Sequence, residues 1–415
     1  MTPRRILLVA ATTGYQTRMF EEAAQRLDMD VVLAIDRCVH LEGPWGENAI
    51  PVRFENPEQA ALLLAAELNP RPDGIVAVGD KPTEIAALAA RHLDLRFHPH
   101  EAVVACRDKY LARESFREAG LPVPEYFRMG VHVEAPEFAR SVRYPCVLKP
   151  LGLSGSRGVI RANGETDFCD AAGRIRSLLH APEIRRIREE HNEFIHVETY
   201  IPGREFAVEG ILTGGRLQVL AIFDKPDPLE GPFFEETLYV TPSRESADVQ
   251  AQLIQATRDG SRALGLTDGP VHAEMRYNES GVWLLEIAAR PIGGLCAESL
   301  RFAEGVKLEE LILLHAVGED VSGLRRESVA SGVMMIPIPT SGIYNGVSGI
   351  EEATACADNV VITAQPGQRL LTLPEGASYL GFIFARADTP LQVESALRKA
   401  HSELNFDIAT ELPLI

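Results

Sequence analysis

The sequence predicts a mixed protein in which an α/β domain with a doubly wound parallel sheet is followed by antiparallel α+β structure. Short apolar strands alternate with amphipathic helices over about the first hundred residues, which is typical of parallel βαβ units. From Arg107 onward, hairpins mixed with helices predict antiparallel pairing. A chain of 415 residues is also too long for one ordinary core, so we expect two or three domains.

Each N-terminal element follows from its local pattern. Apolar runs predict strands at residues 4–10, 31–35 and 74–78, and amphipathic segments predict helices after them, at residues 17–27, 58–68 and 82–93. Ligands usually bind at the loops that follow such strands, here residues 12–15 and 79–82. Neither loop contains GxGxxG, so a dinucleotide site is not supported.

The elements after Arg107 are predicted from the same signals. They are a helix at 107–120, strands at 144–150 and 158–162, a helix near 165–180, a strand at 196–201, a hairpin at 204–223, a helix at about 246–264, a second hairpin at 271–290, and helices at 307–318 and 389–404.

Composition excludes several functional classes. The net charge of −18 argues against a nucleic-acid partner, because phosphate backbones require a basic surface. No apolar run approaches the ~20 residues that a membrane helix needs, and "MTPRRILLVAAT" fits a buried first strand better than a signal peptide. The six cysteines form neither a CxxC pair nor a zinc-ligand pattern. We therefore expect a cytoplasmic protein with no membrane or nucleic-acid partner.

The predicted hairpin at residues 271–290 sets two glutamates opposite each other. Its turn lies at residues 278–281, between two runs that alternate apolar and polar residues. The odd-numbered residues of both runs, Leu285 included, form the apolar face. Folding at the turn brings Glu274 level with Glu286, where two carboxylates repel each other.

Two interpretations of this glutamate pair are open. The pair is either exposed and screened by water, with Arg276 and Arg290 as partners, or it holds a magnesium ion together with nucleotide phosphates. Magnesium binds through one or two carboxylates plus substrate phosphates, so two glutamates on neighbouring strands suit it.

The stretch "LKPLGLSGSRGV" places Lys149 at a strand end before a glycine loop. Glycines at 152, 155 and 158 allow backbone N–H groups to approach phosphate oxygens closely. The loop is not a Walker A motif, because the lysine precedes the glycines. A flexible surface hairpin is the alternative interpretation.

The stretch "HVETYIPGREF" contains Glu198 and Glu205 on either side of a Pro-Gly turn. A carboxylate here can accept hydrogen bonds from a ribose, and the backbone of residues 198–201 can read an adenine edge. Solvated turn acids are the alternative, and Lys109, early in a charged helix, would ordinarily face solvent.

Taken in order, these segments resemble the ATP-grasp superfamily, and within it the bacterial carboxylate-amine ligases typified by L-amino acid (dipeptide) ligases and carnosine-synthase-like enzymes. The resemblance rests on "DKYLARESFREAGLPVP", "YPCVLKP", its glycine loop, "VETYIPGREF" and the hairpin, and it covers nearly the whole chain. It implies an N-terminal domain at residues 1–105, an ATP-grasp domain at 106–322 with a mobile lid at about 140–200, and a C-terminal domain at 323–415.

The resemblance also implies roles for individual residues. Those at the nucleotide are Lys109 and Lys149 on the phosphates, Ser154, Gly155, Ser156 and Gly158 in the covering loop, Glu198, Tyr200 and Ile201 at the adenine, and Glu205 at the ribose. Those at the reacting centre are Glu274 and Glu286 on Mg²⁺, Arg290 on the transferred phosphoryl group, and Gly293 and Gly294 beside the acyl substrate. Where many relatives have Asn, this chain has Ala288, which leaves the number of metal ions open.

The implied activity is ligation of a small carboxylate to a small amine, expected to be amino acids, through an acyl-phosphate with release of ADP and phosphate. ATP and Mg²⁺ are the implied cofactors, with Mn²⁺ as an alternative, and a homodimer is expected. His272 is a candidate either for taking the proton of the amine or for a structural hydrogen bond. The irregular segment 223–243 predicts a binding loop in which Glu235 or Glu236 receives a substrate ammonium, and Cys296 is expected to line the same pocket.

Two other classes stay open. A relative of glycinamide-ribotide synthetase or of biotin carboxylase would keep the nucleotide site and change the acceptor, although the sequence shows no biotinyl-lysine motif. A non-catalytic nucleotide sensor is the second class, and Ala288 is its only hint.

Overall fold

The computed structural model describes residues 3–11, 14–36, 48–185 and 189–410. Its N-terminal region is a parallel sheet of strand order β3-β2-β1-β4 with helices on both faces, which confirms the predicted doubly wound α/β domain. Residues 12 and 13 of the first predicted ligand loop lie outside the described residues. The elements are β1 (Arg4–Ala10), α1 (Tyr15–Arg26), β2 (Met29–Ile35), β3 (Ala49–Pro51), α2 (Pro57–Glu67), β4 (Gly74–Val78), α3 (Asp80–Leu93), α4 (His100–Arg107) and α5 (Lys109–Glu118).

Strand β1 shows why this sheet is covered on both sides. Ile6 and Leu8 face a core shared with α1, whereas Leu7 and Val9 face the core under α2 and α3. A strand buried on both faces must be apolar throughout, which is how β1 reads in the sequence. Helix α2 begins where predicted, because the Asn56 side chain accepts a hydrogen bond from the Gln59 N–H at 3.3 Å.

The predicted lid is an antiparallel sheet of strand order β5-β8-β6-β7, packed against helix α7. Phe168, Ala172 and Ile175 of that helix are buried against the sheet. The elements are β5 (Tyr126–Gly130), α6 (Ala135–Ala139), β6 (Cys146–Pro150), β7 (Ile160–Ala162), α7 (Glu165–Leu179), α8 (Pro182–Arg185) and β8 (Phe194–Thr199).

An eight-stranded sheet of order β13-β12-β9-β10-β11-β14-β18-β16 forms the centre of the molecule. Strands from both sides of the predicted domain boundary at residues 322 and 323 belong to this one sheet, because β11 pairs with β14. The elements are β9 (Arg204–Thr213), β10 (Arg216–Lys225), β11 (Leu238–Thr241), α9 (Ala247–Ala263), β12 (Gly269–Asn278), β13 (Gly281–Ala288), α10 (Leu308–Ala316) and β14 (Ala330–Ile336).

The remaining elements complete the C-terminal region, in which a three-stranded sheet of order β17-β15-β19 packs beside the central sheet. They are β15 (Gly342–Ser348), α11 (Ile350–Thr354), β16 (Asn359–Ile362), β17 (Arg369–Leu370), β18 (Gly381–Ala387), α12 (Pro390–Glu403) and β19 (Asn405–Ala409). Among the described residues, no helix combines the length and the apolar character that crossing a membrane requires.

Two elements depend on tertiary contacts that the sequence pattern does not show. Helix α4 was not predicted, although its Val103 and Cys106 are buried in the central core. Helix α10 was predicted, but its packing against the N-terminal region was not. Its Leu311 and Ile312 pack with α1 against the N-terminal sheet, so this helix joins the first region to the central one.

A buried histidine connects the N-terminal region to the central sheet. His98 Nε2 lies 3.1 Å from the Pro270 carbonyl oxygen, and the Asp268 N–H donates to His98 Nδ1 at 3.2 Å. The ring is therefore neutral, with its proton on Nε2. Burial lowers the pKa of His98 to about 4, although the bond to Pro270 opposes the shift.

We predict that acid weakens this connection. The pKa of His98 is lower in the folded chain than in the unfolded one, so its stabilising contribution is complete above pH ~6.5 and is lost as the pH falls towards ~4. The loss is on the order of 3 kcal/mol. His98→Gln keeps one donor and one acceptor but cannot titrate. Thermal unfolding between pH 7 and pH 4 should therefore show a shallower slope for His98→Gln than for wild type, and equal slopes would contradict the assignment.

Candidate active site

A cavity of about 560 Å³ lies where the N-terminal region, the lid, the central sheet and the C-terminal region meet. Of the sequence-predicted site residues, Gly158 does not line it, because its N–H donates to the Pro374 carbonyl at 2.7 Å and its Cα packs on Pro150. The predicted residues that do line the cavity are Lys109, Lys149, Ser154, Gly155, Ser156, Glu198, Tyr200, Ile201, Glu205, Glu236, His272, Glu274, Glu286, Arg290, Gly293 and Gly294.

The hairpin β12–β13 places Glu274 directly opposite Glu286, as predicted, but through an irregularity that the sequence did not reveal. Near the turn, Met275 pairs with Leu284, and one extra residue in β13 then shifts the register. Without that bulge Glu274 would face Leu285. The prediction that Leu285 belongs to the apolar face is therefore wrong, because the bulge reverses the alternation: Leu284 is buried and Leu285 lines the cavity.

A lysine that sequence reasoning missed neutralises much of this acidic charge. Lys225, the last residue of β10, is buried, and its ammonium lies 2.9 Å from Glu205 and 2.6 Å from Glu274 and also contacts Glu236. Burial lowers the pKa of Lys225, but the charges of Glu236 and Glu274 outweigh that effect and raise it well above its usual value. The sequence signal was a lysine that ends an apolar strand just before the irregular loop.

Two of the acids around Lys225, Glu236 and Glu274, differ in their proton affinity. Burial and the charge of Glu274 raise the pKa of Glu236 to about 8. Burial also disfavours the charged form of Glu274, but Lys225 and His272 hold its pKa well below the usual range. Tyr239 Oη lies 3.1 Å from both carboxylates, so its hydroxyl donates a hydrogen bond to one of them. The cluster is therefore a compact set of one buried cation and acids, of which Glu236 holds a proton more tightly than Glu274.

The donor set of this cluster fits a hard divalent cation. Carboxylate oxygens of Glu205, Glu236 and Glu274 lie within 4.8 Å of one another, and such oxygens are the ligands that Mg²⁺ prefers. Glu286 lies 3.6 Å from the Lys109 ammonium on the far side of Glu274. A lysine therefore lies beside each of the two predicted metal-binding acids, Lys225 beside Glu274 and Lys109 beside Glu286. These positive charges reduce the repulsion between the two carboxylates.

His272 is held by a second residue that sequence reasoning missed. Its Nδ1 lies 2.9 Å from the carboxylate of Glu209, which is fully buried and also accepts the Ile292 N–H at 3.1 Å. Burial disfavours the charged imidazole, but hydrogen bonds to Glu209 and Glu274 raise the pKa of His272 to about 9. Glu209 thus ties the cavity-lining face of β12 to the segment that carries the glycine pair. No local pattern marks it, since it sits within a buried strand.

Arg290 reaches across to the N-terminal region. Its Nε donates to Asp80 Oδ1 at 2.5 Å, and Asp80 begins α3 in the second predicted ligand loop. Burial disfavours the carboxylate, but Arg290 lowers the pKa of Asp80. Gly294 has φ +62° and a Cβ there would lie 2.9 Å from Phe382, so only glycine allows this close approach to the C-terminal region.

The lid end of the cavity is built around Glu198. This buried carboxylate accepts hydrogen bonds from Lys149 at 2.5 Å and from Arg113 at 2.9 Å, and it lies 3.1 Å from His196. Burial would raise its pKa, but the two cations hold it well below its usual range. Glu198 therefore orients Lys149, whose contact with it the sequence did not predict.

The ribose candidate Glu205 is also anchored. Arg276 donates from Nε to Glu205 at 2.9 Å and from Nη1 to the Ile201 carbonyl at 2.7 Å. The Tyr200 ring is flanked by the guanidinium of Arg161 at 4.1 Å and by the Phe234 ring at 6.4 Å. These contacts make a rigid, partly aromatic wall next to the acids.

Comparison with known proteins agrees with this architecture. Residues 142–299 match the ATP-grasp domain family, and residues 334–409 match the L-amino acid ligase C-terminal domain 2. The fold and the site thus define an ATP-grasp protein. Within that superfamily, the chain belongs to the L-amino acid ligase family, whose members are ADP-forming acid–amino acid ligases.

Individual relatives are distant. The crystal structure of L-amino acid ligase from Bacillus licheniformis superimposes with a TM-score of 0.83 at 24% identity, covering 99% of this chain and all of that one. Alanine–anticapsin ligase of Bacillus subtilis is 26% identical over 55% of this chain and 50% of its own length. Carnosine synthase 1 of Gallus gallus is 27% identical over 75% of this chain and 35% of its own length. This chain therefore spans half or less of these two named ligases.

We predict that Lys225→Met leaves the carboxylates of Glu205, Glu236 and Glu274 without the cation they share. Removing the cation from a buried ion pair costs about 3 kcal/mol, because it leaves carboxylates without a partner. The free energy of unfolding should fall by that amount, and added Mg²⁺ should restore part of it by replacing the lost charge. Lys81→Met, which removes a partly exposed pair with Glu189, is the matched control and should change little. If Mg²⁺ stabilised Lys225→Met no more than wild type, the cluster would not be a cation site.

Proposed function

We propose that the protein joins a carboxylate to an amine at the expense of ATP, through an acyl-phosphate, and that both substrates are amino acids. The observation that carries the proposal is that one cavity brings together Lys109 and Lys149, the acid cluster at Glu274, and Arg290 beside a glycine pair. The lysines suit a triphosphate, and Arg290 lies just after β13, the strand that carries Glu286.

ATP fits the half of the cavity under the lid. Val147, Tyr200 and Phe234 supply the flat apolar surfaces that an adenine ring needs, with the Ile201 backbone at their edge. Glu205 accepts from the ribose hydroxyls, and Lys149 and Lys109 contact the phosphates. ATP-grasp enzymes bind ATP with Mg²⁺. Here Glu274 and Glu286 would hold the ion, with Glu236 within reach, and it would draw negative charge from the phosphate oxygens.

The chemistry proceeds in two displacements. A carboxylate oxygen of the acyl donor attacks the γ-phosphorus, the bond to the β-phosphate oxygen breaks, and ADP leaves. The amine nitrogen of the second substrate then attacks the acyl carbonyl carbon, and phosphate leaves with its electron pair. Lys109, Lys149 and Arg290 stabilise the charge that builds up in both steps. Because water would hydrolyse the acyl-phosphate, the lid must cover it.

His272 is better suited to carrying charge than to accepting a proton. Its pKa of about 9 keeps it protonated near neutral pH, where it sits 3.6 Å from Glu274. Glu236, and not Glu235, lines the cavity, so of the two candidates Glu236 is placed to receive a substrate ammonium. In its ionised form Glu236 can also take a proton from the attacking amine, and its raised pKa means that it then keeps that proton near neutral pH.

The substrate end of the cavity supports amino acids over nucleotide-like acceptors. Tyr15, Met335, Tyr379 and Phe382 form its wall, and the Tyr15 and Phe382 ring centroids lie 6.0 Å apart. An apolar side chain packs there, while a phosphorylated ribose would meet no basic group among these four. The match of residues 334–409 supports the same choice over carboxylase-like enzymes, since three of these four residues, Met335, Tyr379 and Phe382, lie within the matched segment.

Trapping the acyl-phosphate tests this function. Each of the common amino acids is offered with ATP, Mg²⁺ and hydroxylamine, and ADP and hydroxamate are measured together. We expect hydroxamate from a subset of apolar amino acids, in equal amounts with ADP. If the protein binds ATP but no amino acid of the panel causes ADP release, the alternative of a non-catalytic nucleotide sensor would be favoured instead.

We predict that Arg290→Ala lowers kcat of donor-dependent ADP release by about 100-fold, because one preorganised cation at the transferred group is lost. Asp80→Asn, which keeps the contact to Arg290 but removes its countercharge, should lower kcat by less than about tenfold. Arg386→Ala, at a partly exposed pair with Glu327 in the C-terminal region, is the control and should leave kcat unchanged. A loss in Arg290→Ala no larger than in Asp80→Asn would show that Arg290 acts through structure alone.

A further inference from the structure

The glycine loop of the lid rests on one segment of the C-terminal region. Residues 154–158 form the loop, and residues 371–379, between β17 and β18, form what we call the docking segment. The Gly158 N–H donates to the Pro374 carbonyl at 2.7 Å, and Arg157 Nε donates to the Glu375 carbonyl at 2.8 Å. A Cβ on Gly155 would lie 3.6 Å from the Ala377 Cβ, at ordinary van der Waals distance, so the loop lies close to Ala377.

A second lid element contacts the same segment. Arg174 of α7 donates from Nε and Nη2 to the Glu375 carboxylate at 3.0 and 2.9 Å. Both side chains are about two-fifths exposed. A pair so accessible to water is weak, so it is able to form and break readily.

The docking segment itself is firmly held. The Thr372 N–H donates to Ser341 Oγ at 3.0 Å, and the Leu380 N–H donates to the Ile336 carbonyl at 2.9 Å. Between these anchors the chain makes a tight turn at Gly376, where a Cβ would lie only 1.9 Å from the Leu371 carbonyl oxygen. The segment is therefore a fixed surface on which the lid docks.

The docking segment also faces the substrate. Ala377, Ser378 and Tyr379 line the cavity, and the Tyr379 ring centroid lies 6.2 Å from that of Phe382 in the apolar wall. Ser154, Gly155 and Ser156 line the cavity from the lid side. The lid and the docking segment thus meet along a seam that borders the cavity.

We propose that docking of residues 154–158 on residues 371–379 is the closure that keeps water from the acyl-phosphate, and that Arg157 is the positioning residue that seats the loop. The inference rests on the proposed function. If the seam opens, a water oxygen attacks the acyl carbonyl carbon, the bond to the phosphate oxygen breaks, and the free carboxylate returns. ATP is then consumed without forming an amide.

Arg157→Ala tests the positioning role. This change removes the bond to the Glu375 carbonyl and a 3.4 Å pair with Glu183, and leaves the cavity-lining groups in place. The ratio of ADP released to amide formed should rise about threefold, since water then competes with the amine. Glu183→Gln removes only the exposed partner and is the matched control, whose ratio should equal that of wild type. Glu375→Ala, which frees Arg174, should raise the ratio in the same direction.

Unchanged ratios in both Arg157→Ala and Glu375→Ala, with thermal unfolding as in wild type, would overturn the proposal. A merely structural defect would lower ADP and amide together and leave their ratio constant, which would also overturn it. The ratio of ADP to amide therefore distinguishes closure over the acyl-phosphate from a general structural defect.

A cross-link tests the docking without relying on ligase activity. Cysteines at 155 and 377 meet the Cβ separation of about 3.5–4.5 Å that a disulfide requires. The double variant Gly155→Cys/Ala377→Cys should form this disulfide on oxidation, identified by peptide mass, and turnover should fall at least about tenfold until reduction restores it. Because φ +65° at Gly155 strains any side chain placed there, the double variant must match wild type in thermal unfolding and in turnover when reduced. In such a variant, absence of the disulfide, or full turnover with it in place, would overturn the docking. Failure of wild type to release ADP with any donor would instead overturn the proposed function, and the disulfide would still report whether the lid docks.

Discussion

The site depends on balancing negative charge in a cavity that is only partly open to solvent. Glu205, Glu236 and Glu274 converge on the Lys225 ammonium, while Lys109 stands beside Glu286. Carboxylates this close would repel strongly at low dielectric, so each must face a cation, share a proton or bind a metal. The raised pKa of Glu236 and the lowered pKa of Glu274 show two of these solutions side by side. The same arrangement is ready for a nucleotide, which brings both more negative charge and a divalent cation.

The architecture places this charged cluster where four regions meet. Arg290 of the central sheet is held by Asp80 of the N-terminal region, and Glu209 holds both His272 and the segment that leads to the glycine pair. The lid contributes Lys149 through its pairing with Glu198. No single region contains a complete site, so relative motion of the regions can assemble or open it, which suits the proposed reaction, whose intermediate water would destroy.

Much of the fold was predictable because its signals are local. The alternation of β1 to α3, the turn of the β9–β10 hairpin and the N-cap of α2 each depend on residues within a few positions of one another. The hairpin shows the limit of such reasoning. The opposition of Glu274 and Glu286 was foreseen, yet it arises from a bulge that also turned Leu285 from the core to the cavity. A bulge depends on packing against neighbouring strands, so the alternation alone did not reveal it.

The sequence by itself determined most of the elements, the glycine loop and the opposed glutamates of the second hairpin, because periodicity and turn chemistry are properties of short segments. Lys109 and Lys149 were identified through the family resemblance. Only the tertiary structure decided which charges became partners. Lys225 meets Glu205 from 20 residues away, His272 meets Glu209 from 63 and Arg290 meets Asp80 from 210. Such pairs form when distant elements are packed into one core, and a buried ion is stable only beside the partner that this packing supplies.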